Sequence, residues 1–529
     1  MAPSRWVVPS RWAALASGVL LEAVAGTPYF VATWLPQLRG SLGFTDAEGQ
    51  LIASTGNLGM YLSFIWGVSF DRFGPRLTLL FGALASALGY ALTALAASRA
   101  VPHTVSLLSL YCFIWSSGSG CLDCVAATTT LRNFPRSRGT TSGMLKSLFG
   151  LSASLFAIVW GSSFGGTDVV GLLRFLAILV PCASAVGAVG LAVVPPAAAE
   201  APLGADGARR VALGYALTVA LCAYVLAVTL SEKLGAIAWA PGYAYALAPF
   251  LCAFALLAAP GSGDGDARAG GVDAAPLLED ASGLPREEPP APAGAAAGAT
   301  LREAVLNVDF WLLFACLFFV AGTGLTFVNN LGELCASLGG SPSNTAVLVV
   351  LFSIGNASGR MAFGAASDRF AAALQRPAWL ALAAAAMGVA ALGAALLPLA
   401  GVFPFVALGG VSYGGLWGTV GPLAADRWGS KALGSILSGA ILAIAAGSYA
   451  LSAGLAAAVY GAGAGADGKC VGGGCFRATF LALCAGCCVA AACAAALGRR
   501  MRHVYGPDGA PLPWAAAQGA PPPGEKSLN

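Results

Sequence analysis

Four charged side chains lie inside long apolar stretches of this sequence: Glu22, Asp123, Lys146 and Arg360. A charged group near the centre of a bilayer costs roughly 2.5 to 3.5 kcal/mol on insertion scales, so residues of this kind need a reason to be there. A carboxylate in such a place can take up and release a proton, and a lysine can attract an anion. The residue types therefore indicate charge recognition or proton transfer within apolar surroundings.

Asp123 and Lys146 are expected to meet. Asp123 precedes Arg132 by nine residues, and Lys146 follows Gly139 by seven. At 1.5 Å per residue, the two lie about 13 and 10 Å from the same end of consecutive helices. We predict an ion pair or a shared polar site, with Glu22 at comparable depth. Two interpretations stay open: the pair locks a helical hairpin, or Lys146 attracts an anionic solute while a carboxylate carries a coupled proton.

The elements that must position these residues follow from composition. Of the 529 residues, 57% are hydrophobic and 10% are charged. Soluble domains of this size cannot bury so much apolar surface. Apolar runs of about 20 residues recur along nearly the whole chain, which is the length that a helix needs to cross a hydrocarbon core of roughly 30 Å. Since backbone groups in lipid must be satisfied within the segment, the sequence predicts an all-α membrane protein.

About fourteen spans are predicted, in the order six, two and six. An N-terminal segment (1–12) precedes a six-helix bundle at 13–194 and an extra two-helix pair at 195–259. Residues 260–308 begin with a stretch rich in Gly, Ala, Pro and acidic residues, which cannot build a core, and they are predicted to form a disordered loop. A second six-helix bundle follows at 309–498, and a tail at 499–529 ends the chain.

Basic residues are unevenly distributed between the two sides of this arrangement. If both termini are cytoplasmic, the inside segments hold 20 of the 28 lysines and arginines, and the outside segments hold six. Because basic residues accumulate in cytoplasmic loops, this bias predicts cytoplasmic termini and a cytoplasmic central loop. The formal net charge of +4 gives no reason to expect nucleic-acid binding.

A short motif repeats after the second span of each bundle. Its glycine allows close helix approach, its aspartate can accept hydrogen bonds from a helix N-terminus or an arginine, and its arginines stay on the cytoplasmic side. We predict that both loops latch one state of a moving bundle. The residues assigned to this gating motif are Gly67, Asp71, Arg72 and Arg76 in the first copy, and Arg360, Gly364, Asp368 and Arg369 in the second.

The two copies resemble the loop motif of the major facilitator superfamily, which has one copy in each six-helix half. Other motifs, spread from Gly56 to Arg500, resemble its nodulin-like branch, which includes the plant nuclear-fusion-defective type; examples are Asn133-Phe134-Pro135, Asp309-Phe310-Trp311 and Arg376-Pro377. The resemblance implies a major-facilitator-like fold with a helix pair between its halves. It also implies a transporter without a defined substrate, since metal-ion (iron) and monocarboxylate-like solutes are both suggested among relatives.

These patterns favour a secondary-active carrier of a small solute that works by alternating access, with proton-coupled transport of an organic anion as the first interpretation. Export of a metal ion such as iron is the alternative within transport, and a transporter-like sensor without flux is the alternative from another class. An enzyme is not expected, because no nucleophile elbow, phosphate loop or metal-ligand cluster is present. We expect a monomer without a cofactor, whose partners are the bilayer and its solute.

Neutral side chains provide further substrate candidates. Asn329 and Asn330 lie near the outer end of the first span of the second bundle, where a helix can unwind and expose carbonyl groups. Tyr29 occupies the corresponding span of the first bundle. Tyr413 and Trp417 lie in a glycine-rich span, although aromatic residues in spans more often serve packing.

Cysteine and histidine usage adds little chemistry. Most of the 14 cysteines lie in apolar runs, where they act as small hydrophobic residues, and two histidines are too few to suggest a histidine metal site. Cys470 and Cys475 lie in the last outside loop and are candidates for a disulfide if that compartment is oxidising. An acidic dileucine pattern at 273–278 keeps a vacuolar or other endomembrane location open beside the plasma membrane.

Overall fold

The computed structural model describes residues 10–233, 235–259, 297–465, 470–512 and 514. The predicted loop at 260–296 with its dileucine pattern, the first nine residues, and residues 515–529 of the predicted tail lie outside the described residues. The described residues form helices joined by short connections, as the sequence predicts for an all-α membrane protein. They belong to an integral, multi-pass membrane protein, because helix after helix is long and apolar enough to span a bilayer.

The first bundle contains seven helices that make six spans. Its first span is broken: a turn of 3₁₀ helix, Thr27–Phe30, separates two α-helices. In chain order the helices are α1 (Arg11–Ala25), α2 (Val31–Leu42), α3 (Asp46–Tyr61), α4 (Phe64–Ala97), α5 (Val105–Asn133), α6 (Arg138–Ser163) and α7 (Val169–Gly190).

Gly74 divides α4 between two spans. Its φ of 77° and ψ of 179° lie outside the helical region, and Pro75 follows it. A φ in this range is accessible mainly to glycine, and proline is well placed to begin a new helix. The 50-residue apolar segment Glu48–Ala97 therefore holds two spans. With this division, the 13 long apolar segments of the described chain contain the predicted fourteen spans.

The extra pair and the second bundle complete the chain. The pair consists of α8 (Pro196–Glu200), α9 (Gly204–Lys233), α10 (Pro241–Tyr245) and α11 (Leu247–Ala253), which a 3₁₀ turn extends to Ala258. The second bundle contains a π-helical segment, Ser448–Ala456, within its fifth span. Its helices are α12 (Leu301–Val305), α13 (Val308–Ser337), α14 (Pro342–Arg369), α15 (Arg376–Leu396), α16 (Leu399–Trp428), α17 (Leu433–Gly447), α18 (Ala457–Ala462) and α19 (Gly474–Arg500).

Glycines let α14 pack tightly between α6 of the first bundle and α16 of its own. A Cβ added to Gly143 of α6 would lie 2.5 Å from the carbonyl oxygen of Arg360. On the other side of α14, a Cβ added to Gly414 of α16 would lie 2.0 Å from the carbonyl oxygen of Asn356. Only residues without a side chain allow this approach, so these glycines set how closely α14 packs against both neighbours.

The extra pair lies across this junction. The Tyr215 hydroxyl of α9 is 3.0 Å from the carbonyl oxygen of Thr140 in α6 and 3.3 Å from that of Met361 in α14. One side chain of the pair therefore contacts both bundles, and any movement of α6 against α14 must disturb it.

Residues 297–308 differ from the disorder predicted for them. The backbone N–H of Ala299 donates to the carbonyl oxygen of Trp428 at 2.8 Å, and Thr300 caps α12 together with Glu303. Hydrogen bonds from the backbone and side chain of Thr300 lower the pKa of Glu303. The prediction extended the composition of residues 260–299 too far, whereas the Thr-x-x-Glu pattern at 300–303 marks a helix start.

The two ends of the bundles are distinct. One end carries Asp71 of α4 and Asp368 of α14, and we call it the arginine face. At the opposite end, a disulfide joins Cys470 and Cys475 ahead of α19, and we call this end the disulfide face.

Candidate functional site

Three of the four charged residues singled out in the sequence meet inside the first bundle. Lys146 of α6 forms ion pairs with Asp123 of α5 and with Glu22 of α1, whose Oε1 lies 3.2 Å from Nζ. The side chains of Glu22 and Lys146 are 0% and 7% exposed. Equal depths along neighbouring helices were thus a sound reason to expect the Asp123–Lys146 pair.

Arg360 lies next to this cluster and not in the loop to which the sequence assigned it. Its Nε donates to Oδ1 of Asn356 at 2.9 Å, and its Nη1 donates to the carbonyl oxygen of Lys146 at 2.9 Å. The residue is 1% exposed. The reason is distance along the helix: Arg360 precedes Asp368 by eight residues, or about 12 Å. Arg360 is therefore as deep as Lys146.

The guanidinium of Arg360 has a hydrogen-bond donor that is not satisfied by the described residues. Its Nη2 is buried and has no hydrogen-bond partner among the described residues. No carboxylate within the described chain forms an ion pair with it, whereas Lys146 contacts two. A buried guanidinium with an unfilled donor is costly because its lost hydration is not replaced. The site is therefore prepared for an acceptor that the described residues do not supply.

Two aromatic rings join the cations. The Lys146 Nζ lies 5.7 Å from the ring centroid of Phe149 and 5.9 Å from that of Trp417. The Arg360 Cζ lies 5.5 and 5.4 Å from the same two centroids. Ring faces attract cations, so Phe149 of the first bundle and Trp417 of the second help to hold both charges at the junction between the bundles.

A small cavity lies beside Lys146 between the bundles. Its volume is about 20 Å³, which admits roughly one water molecule and excludes a solute. The lining includes Asp123, Cys124, Ser142, Trp417 and Ser438. The structure thus shows the site closed, and a solute can reach Lys146 only if the bundles move.

Three tyrosine hydroxyls meet on the side of the site that faces the disulfide face. The Tyr29 hydroxyl lies 3.0 Å from that of Tyr61 and 3.2 Å from that of Tyr413. The ring of Tyr29 packs edge-on against Phe149 at a centroid distance of 5.3 Å, and Tyr413 packs against Trp417 at 6.3 Å. Tyr29 and Tyr413 were predicted candidates, whereas Tyr61 was not, because it ends α3 without a charged or motif residue beside it.

The aspartates of the repeated motif cross between the bundles on the arginine face. Asp71 of the first bundle accepts hydrogen bonds from the backbone N–H and the hydroxyl of Ser435, both at 2.7 Å, at the start of α17. Asp368 of the second bundle accepts from the backbone N–H of Gly139 at 3.1 Å and of Thr140 at 2.6 Å, at the start of α6. Each carboxylate caps a helix N-terminus of the opposite bundle, where the helix dipole favours negative charge.

Arginines reinforce both caps. Arg132 pairs with Asp71 at 2.5 Å and also donates to the carbonyl oxygen of Lys431. Arg376 pairs with Asp368 at 2.6 Å and with Asp426. Arg138 of the first bundle pairs with Asp426 of the second at 2.9 Å, and Asp309 pairs with Arg427 and Arg500. Asp309 and Arg376 belong to the motifs that resemble the family, and these ion pairs give them a role that was not predicted.

The other residues of the predicted gating motif fall into two groups. Gly67 and Gly364 lie at points of close backbone contact: a Cβ on either would come within 2.3 Å of a carbonyl oxygen of the opposite bundle. Arg72, Arg76 and Arg369 are exposed and form no ion pair with another described residue. The aspartates and glycines thus make the contact between bundles, and these three arginines do not.

Asn329 and Asn330 lie away from the charged cluster. Their side-chain amides lie 3.0 and 3.4 Å from the hydroxyl of Ser452, within the second bundle. The unwinding expected beside them is not in α13, which is continuous, but in the facing π-helical segment Ser448–Ala456. Segments of this type are frequent at functional sites, but the charged cluster and the cavity beside Lys146 are formed by other described residues.

Two family profiles together match most of the chain. The profile described as Nodulin-like matches residues 11–260. The profile described as NFD4, C-terminal domain matches residues 297–506. The boundary between the matches coincides with the stretch that separates the extra pair from the second bundle.

Three curated proteins are similar to parts of the chain. Uncharacterized membrane protein YMR155W of Saccharomyces cerevisiae is 28% identical over 32% of this chain and 31% of its own length. Protein NUCLEAR FUSION DEFECTIVE 4 of Arabidopsis thaliana is 23% identical over 30% and 27%. Probable transporter MCH1 of Yarrowia lipolytica is 30% identical over 37% and 43%. The chain thus spans less than half the length of the curated relatives it matches.

Two solved structures are similar over nearly the whole chain. The major facilitator superfamily transporter FucP, in an outward conformation, has a TM-score of 0.52 and 16% identity, with 92% of this chain and 98% of that one covered. The proton:xylose symporter XylE, bound to 6-bromo-6-deoxy-D-glucose, has a TM-score of 0.52 and 13% identity, with 93% and 95% covered. At these identities the similarity shows the fold and nothing about the solute.

Proposed function

Since the chain belongs to the nodulin-like branch of the major facilitator superfamily, we propose that it is a secondary-active transporter that carries a small organic anion by alternating access. The observation that supports the anion most directly is Arg360, a buried guanidinium at the junction of the bundles with an unfilled Nη2 donor. A carboxylate suits this group because it accepts two parallel hydrogen bonds from one guanidinium. We propose a monocarboxylate-like solute for this site.

The neighbouring cluster supplies a means of proton coupling. Lys146 contacts both Glu22 and Asp123, so protonation of one carboxylate leaves the lysine with one negative partner. The positive charge of Lys146 and Arg360 is then no longer balanced, which favours an incoming anion. Binding of the anion in turn favours the proton, because the coupling free energy between two sites is reciprocal. The proton and the anion are proposed to move together.

The motif aspartates control the proposed movement, because they hold the two bundles together on the arginine face. Asp71 and Asp368 each hold a helix of the opposite bundle, so the site can open towards the arginine face only when both caps separate. We propose that this face is cytoplasmic, in agreement with the accumulation of basic residues there and with a disulfide at the opposite end. Labelling of Lys431 by a membrane-impermeant amine reagent in intact cells and in permeabilised cells tests the orientation. Reaction in intact cells would reverse it.

Metal-ion export is less well supported by the same residues. Asp123 lines the cavity, and Lys146 pairs with both Asp123 and Glu22. The described residues contain no group of three His, Cys, Asp or Glu side chains that could hold a metal ion. A cation would also have to enter beside Arg360, which repels it.

Uptake by proteoliposomes tests the proposal. Initial rates are measured for labelled monocarboxylates of two to six carbons and for ferrous iron, with and without an inward proton gradient, against protein-free vesicles that report passive leak. We expect carboxylate uptake above leak that rises with the gradient. Iron uptake without carboxylate uptake would replace the anion proposal with cation export, and the absence of any flux would favour a sensor.

A further inference from the structure

The tyrosine cluster lies between the charged site and the disulfide face. Tyr413 precedes Trp417 by four residues on α16, and Tyr29 follows Glu22 by seven in the first span. At 1.5 Å per residue, the two rings are about 6 and 10 Å further from the arginine face than the site itself. Because they also pack on Phe149 and Trp417, they cover the site on this side.

The cluster joins the two bundles through neutral groups. Tyr29 and Tyr61 belong to the first bundle and Tyr413 to the second, so the 3.2 Å contact between Tyr29 and Tyr413 crosses the junction. Each hydroxyl can donate one hydrogen bond and accept others. Tyr29 has two hydroxyl partners, whereas Tyr61 and Tyr413 have one each. Tyr29 is therefore the residue on which the closure depends most.

Tyr29 also lies where the helix of its span is interrupted. The α-helix ends at Ala25, Gly26 follows, and Tyr29 lies in the 3₁₀ turn Thr27–Phe30. A Cβ on Gly26 would lie 2.6 Å from the carbonyl oxygen of Phe149. A local break of this kind lets a few residues move without displacing the whole helix.

We propose that Tyr29, Tyr61 and Tyr413 form a lid that gates the site on its disulfide side and limits the size of the solute. This inference rests on the proposed transport of an anion. The lid closes only when the three hydroxyls return to within hydrogen-bond distance. A carboxylate whose chain extends beyond Phe149 and Trp417 holds the hydroxyls apart, so the lid selects short chains. Loss of a hydroxyl weakens the closure and relaxes this limit.

Cys124 provides a reporter that needs no solute. It lines the cavity beside Lys146 and is 7% exposed, so a thiol reagent reaches it only when a closure opens. The rate of its modification in nanodiscs is followed by peptide mass spectrometry, which separates it from the other cysteines. Tyr29→Phe removes two hydrogen bonds, so we expect it to raise this rate about tenfold. Tyr61→Phe and Tyr413→Phe each remove one and should raise the rate by a smaller factor. Tyr224→Phe is the matched control, because its hydroxyl bonds to the carbonyl oxygen of Tyr243 in the extra pair.

The size limit is read in the same variants by uptake of carboxylates of increasing chain length. We expect Tyr29→Phe to accept chains longer than the wild type does, and Tyr224→Phe to keep the wild-type limit. Wild-type reactivity of Cys124 in all three lid variants would overturn the lid. Raised reactivity in a protein that moves no carboxylate would support the lid and reject the anion proposal, so the two failures are distinguishable. If Tyr29→Phe does not fold, the two single-bond variants carry the test.

Discussion

The site around Lys146 and Arg360 is closed on its two sides by different chemistry. On the arginine face, Asp71 and Asp368 reach across to helix N-termini and are held by arginines. On the disulfide side, neutral tyrosine hydroxyls meet. A buried charge that loses its partner costs several kcal/mol, whereas one neutral hydrogen bond contributes about 1 kcal/mol. We therefore expect the closed structure to open more readily towards the disulfide face.

The two closures also differ in how many equivalent contacts form them. The arginine face uses one aspartate from each bundle in equivalent roles, so the loss of one leaves a cap in place. The lid has no such pair: Tyr29 bonds to both other hydroxyls, and its loss removes both bonds. One closure is strong and is shared between two caps, and the other is weak and depends on a single residue.

The largest effect is expected from Asp368→Ala. This change removes the cap on α6 and leaves Arg376 with Asp426 as its remaining partner. Breaking a largely buried pair costs about 3–5 kcal/mol, so thermal stability should fall and Cys124 reactivity should rise at least tenfold. Arg369→Ala, at the next position of α14 but exposed, is the control and should change neither. Equal effects of the two variants would contradict the closure assigned to Asp368.

Asp71→Asn should have a smaller effect. Asparagine keeps the shape and one oxygen for Ser435 but loses the charge that holds Arg132 and the helix dipole, so we expect a loss of about 1–2 kcal/mol. Cys124 reactivity and thermal stability measure it. Combining Asp71→Asn with Asp368→Asn sharpens the comparison. Because opening requires both caps to separate, we expect the combined rise in reactivity to equal the product of the single rises, and a combined rise no larger than the greater single rise would contradict two separate caps.

Tyr215→Phe tests whether the extra pair adds to either closure. Its hydroxyl contacts Thr140 and Met361 across the junction, and its removal should cost about 0.5–1.5 kcal/mol. Because Thr140 is itself bound to Asp368, we expect a modest rise in Cys124 reactivity that is lost in the Asp368→Ala background. A rise of the same size in both backgrounds would separate Tyr215 from the arginine face.

The smallest effect concerns α12 and pH. The folded pKa of Glu303 is lowered by Thr300, so its contribution is present above the unfolded pKa and is lost as pH falls through the folded value. Glu303→Gln should therefore increase hydrogen exchange at 301–305 relative to wild type at pH 7. The difference should vanish at low pH. A difference that persists at low pH would show that the capping charge is not its cause.

The Asp123–Lys146 pair shows how far the sequence could lead. Distance along two consecutive helices from one end was enough to bring them together, because a hairpin fixes their relative depth. The same calculation places Arg360 about 12 Å from Asp368 along the helix. Arg360 was nevertheless predicted to belong to the gating motif, because it lies close to that motif in sequence. The error came from reading a motif as a unit, although a helix carries its residues to different depths.

The contacts between the two bundles could not be predicted from the sequence. Asp71 was expected to accept from a helix N-terminus or an arginine, but which helix it caps depends on how the two bundles face each other. Tyr61 gave no signal, because a tyrosine in an apolar run usually serves packing. Its role comes from the position of Tyr29 on another helix, which no local pattern encodes.

The direct test of the account is carboxylate binding at Arg360 with its charge preserved. Equilibrium binding of a labelled short monocarboxylate is measured for the wild type and for Arg360→Lys, with Arg174→Lys at an exposed site of α7 as the matched control. A lysine keeps the charge but loses the planar pair of donors, so we expect affinity to fall about tenfold or more in Arg360→Lys and to stay unchanged in the control. Equal affinity in all three proteins would contradict the assignment of Arg360 as the anion site.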